Sequence, residues 1–179
     1  MDSTVYATLD AMTSALPRLS ALQDPIRVVI ADDHGGFVRA ITTTLERAGI
    51  WVVAIAATGQ GALDAIRTER PAIALVDMRM PGLSGIDVAT SARRLAPATR
   101  VVILSAYVES EIIASAISAG AFGYVSKDSS PSTIVAAISS CAEGVPSLPS
   151  TLPEELRRSL AEQARQASPS MPGCANPAR

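Results

Sequence analysis

The chain has 179 residues, 48% of them hydrophobic and 18% charged, with a formal net charge of -2. This length holds one ordinary domain with extensions, and the composition excludes a disordered chain, which needs low hydrophobicity and high charge. A small negative net charge leaves no electrostatic footprint for nucleic acid, and no apolar run is long enough to cross a membrane. Cys141 and Cys174 lack metal-ligand spacing and fit a reducing compartment; with no basic n-region before an apolar stretch at the N-terminus, a cytoplasmic location is expected.

Val5, Leu9, Met12 and Leu16 fall at i, i+4, i+7 and i+11, the pattern of a helix within an N-terminal extension over 1–24, ended or kinked by Pro17. From Ile26 the chain turns β-branched through Ala31, the expected first strand, and breaks into the loop Asp32-Asp33-His34-Gly35-Gly36. His34 is expected to cap the helix that follows, which carries Phe37, Ile41, Leu45 and Ala48 and stops at Gly49. A second strand over 51–56 leads through Thr58-Gly59 into a helix bearing Ala62, Leu63 and Ile66.

A third strand over 72–76 runs into Asp77, and Pro81-Gly82 turns the chain into a helix over 84–95. Val101 to Leu104 form a fourth strand ending in Ser105-Ala106, followed by a helix with Ile112, Ile113, Ala116 and Ile117. The fifth strand, 121–125, ends in Ser126-Lys127, and Pro131 opens a helix whose Ile134, Ile138 and Cys141 share a face. Nearly continuous apolar strands alternating with helices predict an α/β, doubly wound, five-stranded parallel sheet over 25–144, in either of the two common strand orders.

Past Gly144 a Pro- and Ser-rich linker leads to a short amphipathic helix, together spanning 145–166. Thr151 and Glu154 have capping-box spacing, Leu152, Leu156 and Leu160 form a stripe, and Glu154 can pair with Arg158. Residues 167–179, with Pro169, Pro172, Gly173 and Pro177, have the composition of a disordered tail.

The chemistry gathers at the carboxyl ends of the strands, where open α/β sheets bind ligands. Asp32 and Asp33 follow the first strand, Asp77 the third, Ser105 the fourth and Lys127 the fifth. An Asp after a strand is by itself more often a turn residue, so the constellation decides. Three converging carboxylates resist joint ionisation, and a hard, oxygen-preferring cation such as Mg²⁺ relieves them. Lys127 is the only lysine in the chain. A compact ammonium can reach a carboxylate or a phosphoryl oxygen from a narrow opening, which the planar guanidinium does less well. Asp77, held apart from the adjacent pair, is the expected nucleophile for an aspartyl-phosphate, with Ser105 donating to a phosphoryl oxygen.

Val28-Val29-Ile30-Ala31-Asp32-Asp33-His34, Leu75 to Gly85, Val102 to Ala106, and Gly120 to Asp128 together resemble the CheY-like receiver domain of bacterial two-component response regulators, in its NarL/FixJ (LuxR-type) group. The resemblance implies strand order 2-1-3-4-5, with the extra N- and C-terminal helices added to it. It also implies Mg²⁺ at Asp32, Asp33, Asp77 and the backbone carbonyl of Arg79, and phosphorylation of Asp77 by a sensor histidine kinase or phosphotransfer protein. Ser105 and Tyr124 would be the switch pair, and small Ala106 would keep the site open. Such a chain is a phosphoacceptor and not a turnover enzyme. It would act through protein contacts, with a homodimer through the terminal helices or the fourth- and fifth-helix face as a further expectation.

The sequence departs from the family pattern in places. Gly35-Gly36 replaces a Pro followed by an apolar residue, Asp128 stands where many receivers carry Pro, and bulky Arg79 and Tyr107 flank the mouth, where they are expected to alter phosphoryl lifetime. After Gly144 only 35 residues remain and no helix-turn-helix can be drawn, so no DNA binding is assigned to this chain. Two alternatives stand beside the main reading: a receiver-like dimerisation or interaction module that never cycles, and a metal-dependent phosphohydrolase, which lacks a second general acid after Asp77.

Overall fold

The computed structural model describes residues 24–167. Five parallel strands, β1 (Arg27–Ala31), β2 (Trp51–Ala56), β3 (Ile73–Asp77), β4 (Arg100–Ser105) and β5 (Gly123–Ser126), form one sheet in the order β2-β1-β3-β4-β5. Each strand is followed by a helix: α1 (Gly35–Arg47), α2 (Gly59–Glu69), α3 (Gly85–Leu95), α4 (Ser110–Ala119) and α5 (Pro131–Ala142), with α6 (Glu154–Ala167) beyond. This is the doubly wound order implied by the resemblance. The proposed N-terminal helix and the tail after Ala167 lie outside the described residues.

The central strands are apolar on both faces because helices cover both. All five residues of β3 are buried, as are Val101 to Ser105 in β4. Leu45 from α1, Ile66 from α2, Val88 from α3, Ile117 from α4 and Ile138 from α5 close the core over them. Burying a side chain of this size contributes about 1.5–3 kcal/mol each, so the helices are held by packing more than by propensity.

Local signals set where helices begin. Thr58 Oγ1 accepts from the Gly61 N–H at 3.1 Å to start α2, and Ser130 accepts from the Thr133 N–H at 3.1 Å, with Pro131 in the first turn of α5. Among the described residues, a complete capping box lies at α3, where Ser84 Oγ accepts from the Asp87 N–H and Asp87 Oδ2 accepts from the Ser84 N–H at 2.9 Å. Gly85, next in line, lets that helix start against the strand end, since a Cβ there would stand 2.6 Å from the Asp77 carbonyl oxygen.

Two expected caps differ. His34 precedes α1 but its side chain makes no capping bond, because the imidazole is drawn to neighbouring carboxylates. α6 begins at Glu154, so that residue sits in the first turn itself and the Thr151–Glu154 box does not form; its carboxylate pairs instead with Arg157, and with Arg158 at 3.7 Å. Gly35 and Gly36, expected as loop, are the first two residues of α1.

The segment between α5 and α6 runs along the edge of β5. The Tyr124 N–H donates to the Ser147 carbonyl at 2.8 Å, and Leu152 is buried. α6 packs on α4 through Leu160 and Ala164, with Gln163 Nε2 donating to Ser118 Oγ at 3.2 Å.

Glycine in a helix lowers stability, and a Cβ at Gly35 or Gly36 would meet nothing within 4 Å. The Gly35→Ala, Gly36→Ala double variant is therefore expected to gain about 1 kcal/mol in urea unfolding. An unchanged or lower midpoint contradicts this account of the α1 start.

Candidate functional site

Parallel pairing brings the strand ends to one level. Ala31 pairs with Val76, Asp77 with Leu104, and Ser105 with Ser126, so the residues at or just past these positions share one crevice. Asp32, Asp77 and Ser105 are three of only four buried polar residues in the described core, with exposures of 2%, 4% and 1%. Lys127 reaches them from just past β5, where its N–H donates to the Ser105 carbonyl at 2.9 Å. Its Nζ lies 2.6 Å from Asp32 Oδ2 and 3.0 Å from Asp77 Oδ1, and 5.2 Å from the centroid of the Phe37 ring.

Burial pushes the Asp77 carboxyl above the usual carboxylate range. Lys127 and the Arg79 backbone amide pull it back and the neighbouring Asp32 adds to the rise. Burial disfavours the Lys127 ammonium, but its bonds to Asp32 and Asp77 outweigh that and hold its pKa above the ordinary value. Lys127 is thus firmly charged, while Asp77 is the acid whose charge the fold resists.

Asp33 is more open than Asp32, and His34 Nδ1 stands 3.0 Å from Asp33 Oδ1 and 3.1 Å from Asp32 Oδ1. The His34 N–H also donates to Asp32 Oδ1 at 2.9 Å. Asp32 Oδ2, by contrast, is buried, and its close partner is the Lys127 ammonium at 2.6 Å. Ligand atoms from Asp32, Asp33, His34 and Asp77 fall within 4.8 Å of one another. A buried carboxylate oxygen with spare lone pairs, beside two further carboxylates, suits a hard divalent cation.

The other wall is built by β4. Ser105 Oγ accepts from the Tyr107 N–H at 3.0 Å, which leaves the hydroxyl hydrogen free to donate. Tyr124 is buried with its hydroxyl turned inward, donating to the Tyr107 carbonyl at 2.6 Å, and burial raises its phenol pKa. At the mouth Arg79 Nη1 donates to Tyr107 Oη at 3.3 Å and its guanidinium lies 4.3 Å from the ring centroid. These two bulky residues form a bridge over a cleft of about 810 Å³, whose floor carries Asp77, Ser105 and Lys127 and whose rim includes Gly36 and Ala106.

The structure therefore gathers Asp32, Asp33, Asp77, Ser105 and Lys127 in one crevice, with Arg79 and Tyr107 at its mouth and Tyr124 behind. Two contributors were invisible in the sequence. Phe37 reads there only as one helical apolar position, and the Tyr107 main chain, which joins Ser105 to Tyr124, has no side-chain signature.

Residues 28–139 match the family model described as the response regulator receiver domain. The NarL transcriptional regulatory protein of Mycobacterium tuberculosis is 38% identical over 146 residues, covering 79% of this chain and 68% of that protein. The response regulator UvrY of Escherichia coli K12 is 32% identical over 145 residues, covering 80% of this chain and 66% of UvrY. The chain thus spans about two thirds of the length of these regulators. Among solved structures, the signal receiver domain of the M. tuberculosis NarL response regulator superposes with a TM-score of 0.66 at 38% identity, over 68% of this chain and 99% of that one. A LuxR-family two-component response regulator from Aurantimonas sp. SI85-9A1 gives 0.67 at 30% identity, over 78% and 97%. With its sheet order, its strand-end acids and this match over most of its length, the chain belongs to the response regulator receiver family, a family of signalling domains.

Proposed function

We propose that Asp77 is the phosphoacceptor, that Asp32, Asp33, Asp77 and the Arg79 carbonyl hold Mg²⁺, and that a sensor histidine kinase or phosphotransfer protein is the donor. The observation that carries this reading is Lys127 Nζ lying between Asp32 and Asp77, at 2.6 Å and 3.0 Å. The ammonium is in place to shift from a carboxylate oxygen to a phosphoryl oxygen without leaving the crevice.

In the transfer, an Asp77 carboxylate oxygen attacks phosphorus in line. The P–N bond to the donor's imidazole breaks as the P–O bond forms, and the imidazole keeps the electron pair. The chemistry a bound Mg²⁺ supplies is neutralisation of charge on the phosphoryl oxygens. Lys127 pairs with one of those oxygens and the Ser105 hydroxyl donates to another. As Ser105 moves toward the phosphoryl group it draws on the Tyr107 N–H, whose own carbonyl holds Tyr124. A local charge thereby biases the surface around α4 and β5, and the output is a protein contact. Arg79 and Tyr107 screen the acyl phosphate from attacking water. A cytoplasmic chain acting this way needs no turnover of an outside substrate.

Incubation with acetyl phosphate and Mg²⁺ is expected to add the mass of one phosphoryl group to the wild-type chain and none to Asp77→Asn. No gain, or a gain that persists in the variant, contradicts the proposal. The Arg79→Ala, Tyr107→Ala double variant is expected to lose its phosphoryl group several-fold faster; an unchanged rate removes their screening role. Because the Asp77 pKa is raised on folding, its ionised form opposes folding at any pH above the unfolded value. Metal-free Asp77→Asn should therefore melt higher than wild type at pH 7, the gain fading as pH falls into the ordinary carboxyl range. A lower melting temperature contradicts the electrostatic account.

A further inference from the structure

The cleft in front of Asp77 is larger than a phosphoryl group requires. Its volume of about 810 Å³ is that of a small-molecule pocket, and much of its lining is apolar or bare backbone, from Gly35, Gly36, Phe37, Met78, Ala106 and Tyr107. The two flanks of β3 differ at this level. On the β4 flank Arg79 and Tyr107 meet across the mouth, the guanidinium 4.3 Å from the ring centroid. On the β1 flank stand Gly35 and Gly36, and a Cβ built at either meets no atom of the described residues within 4 Å. These are the positions where the family pattern carries Pro and an apolar residue. Phe37 follows them, its ring centroid 5.2 Å from the Lys127 ammonium that Asp77 binds, so an aromatic ring borders the reacting group.

In-line attack by Asp77 sends the leaving group away from the floor and toward this mouth. A carboxylate departs as a stable anion and asks for no general acid. When it leaves an acyl phosphate its negative charge develops at the mouth, where Arg79 carries a fixed positive charge. Phe37, Ala106 and Tyr107 offer apolar walls to the carbon skeleton behind that carboxylate, and the absent side chains at Gly35 and Gly36 leave it width.

We propose that the cleft takes a low-molecular-weight aromatic acyl phosphate as a direct phosphoryl donor, with Gly35 and Gly36 as the residues that admit its ring. The inference rests on Asp77 as the phosphoacceptor. An Asp77 carboxylate oxygen bonds to phosphorus, the bond from phosphorus to the acyl oxygen breaks, and the aromatic carboxylate leaves with the electron pair; no proton is transferred. The protein donor and the small donor use the same floor and differ in what fills the mouth.

Benzoyl phosphate and acetyl phosphate are matched probes, because their leaving carboxylates are similar in basicity and differ in size. With Mg²⁺ present, the rate of mass gain per unit donor concentration is measured for each on wild type and on Gly36→Leu. That substitution returns an apolar side chain to the mouth and replaces a helical glycine by a better helix former, so the fold is not at risk. The benzoyl-to-acetyl rate ratio should be roughly threefold or more in wild type and should fall several-fold in Gly36→Leu. A wild-type ratio near or below one overturns the inference, as does a ratio that is unchanged or higher in Gly36→Leu; acetyl phosphate labelling in either case leaves Asp77 as the phosphoacceptor. Labelling by neither donor, or labelling that persists in Asp77→Asn, removes the phosphoacceptor reading and the inference with it.

Discussion

The crevice depends on one ammonium. Asp32 and Asp77 are both nearly inaccessible and belong to neighbouring strands, and two like charges so placed oppose each other and the fold. Lys127 answers both at once, from 2.6 Å and 3.0 Å, and it can do so only because β5 delivers it at the same level as β1 and β3. The sheet order and the charge arrangement are therefore two aspects of one requirement. Removing Lys127 leaves both buried carboxylates uncompensated, whereas removing Asp77 alone leaves the ammonium paired with Asp32.

From that pair a second line of contacts leads outward. Lys127 is tied by its backbone to the Ser105 carbonyl, Ser105 by its hydroxyl to the Tyr107 N–H, and the Tyr107 carbonyl to the Tyr124 hydroxyl. Tyr124 in turn donates its own N–H to Ser147 in the segment that precedes α6. The crevice and the C-terminal segment are thus joined through one buried tyrosine, and α6 packs on the helix that follows β4. The proposed phosphoryl signal has a continuous route to the surface, with a two-state element at Tyr124 as its physical requirement.

Much of this was legible in the sequence because it rests on patterns with period and order. The strand runs around Ile30, Val76 and Leu104 and the residues following them were readable from apolar continuity, and Lys127 from its solitude in a chain rich in Arg. Strand order was not: periodicity left two windings open, and only the resemblance of the motifs chose. What stayed hidden depends on atoms that composition does not encode. His34 was expected to cap a helix, yet the carboxylates of the two residues before it, Asp32 and Asp33, hold its ring. The capping box appeared at Ser84 and Asp87, inside a Pro-Gly turn region, and not at Thr151. Gly35 and Gly36 read as loop by propensity, but α1 begins at Gly35 and both form its exposed first turn, ahead of the buried Val38 and Ile41 that hold the helix down.

The central claim is that Lys127 supplies the positive charge that otherwise a metal ion must bring, so ammonium and cation share the same carboxylates. Its most direct test is a calorimetric Mg²⁺ titration of wild type beside Lys127→Met, which keeps the side-chain length and removes the charge. The account predicts roughly tenfold or greater tightening in the variant, since a like charge next to the cation has been taken away. Unchanged or weaker Mg²⁺ binding by a folded Lys127→Met protein would contradict it.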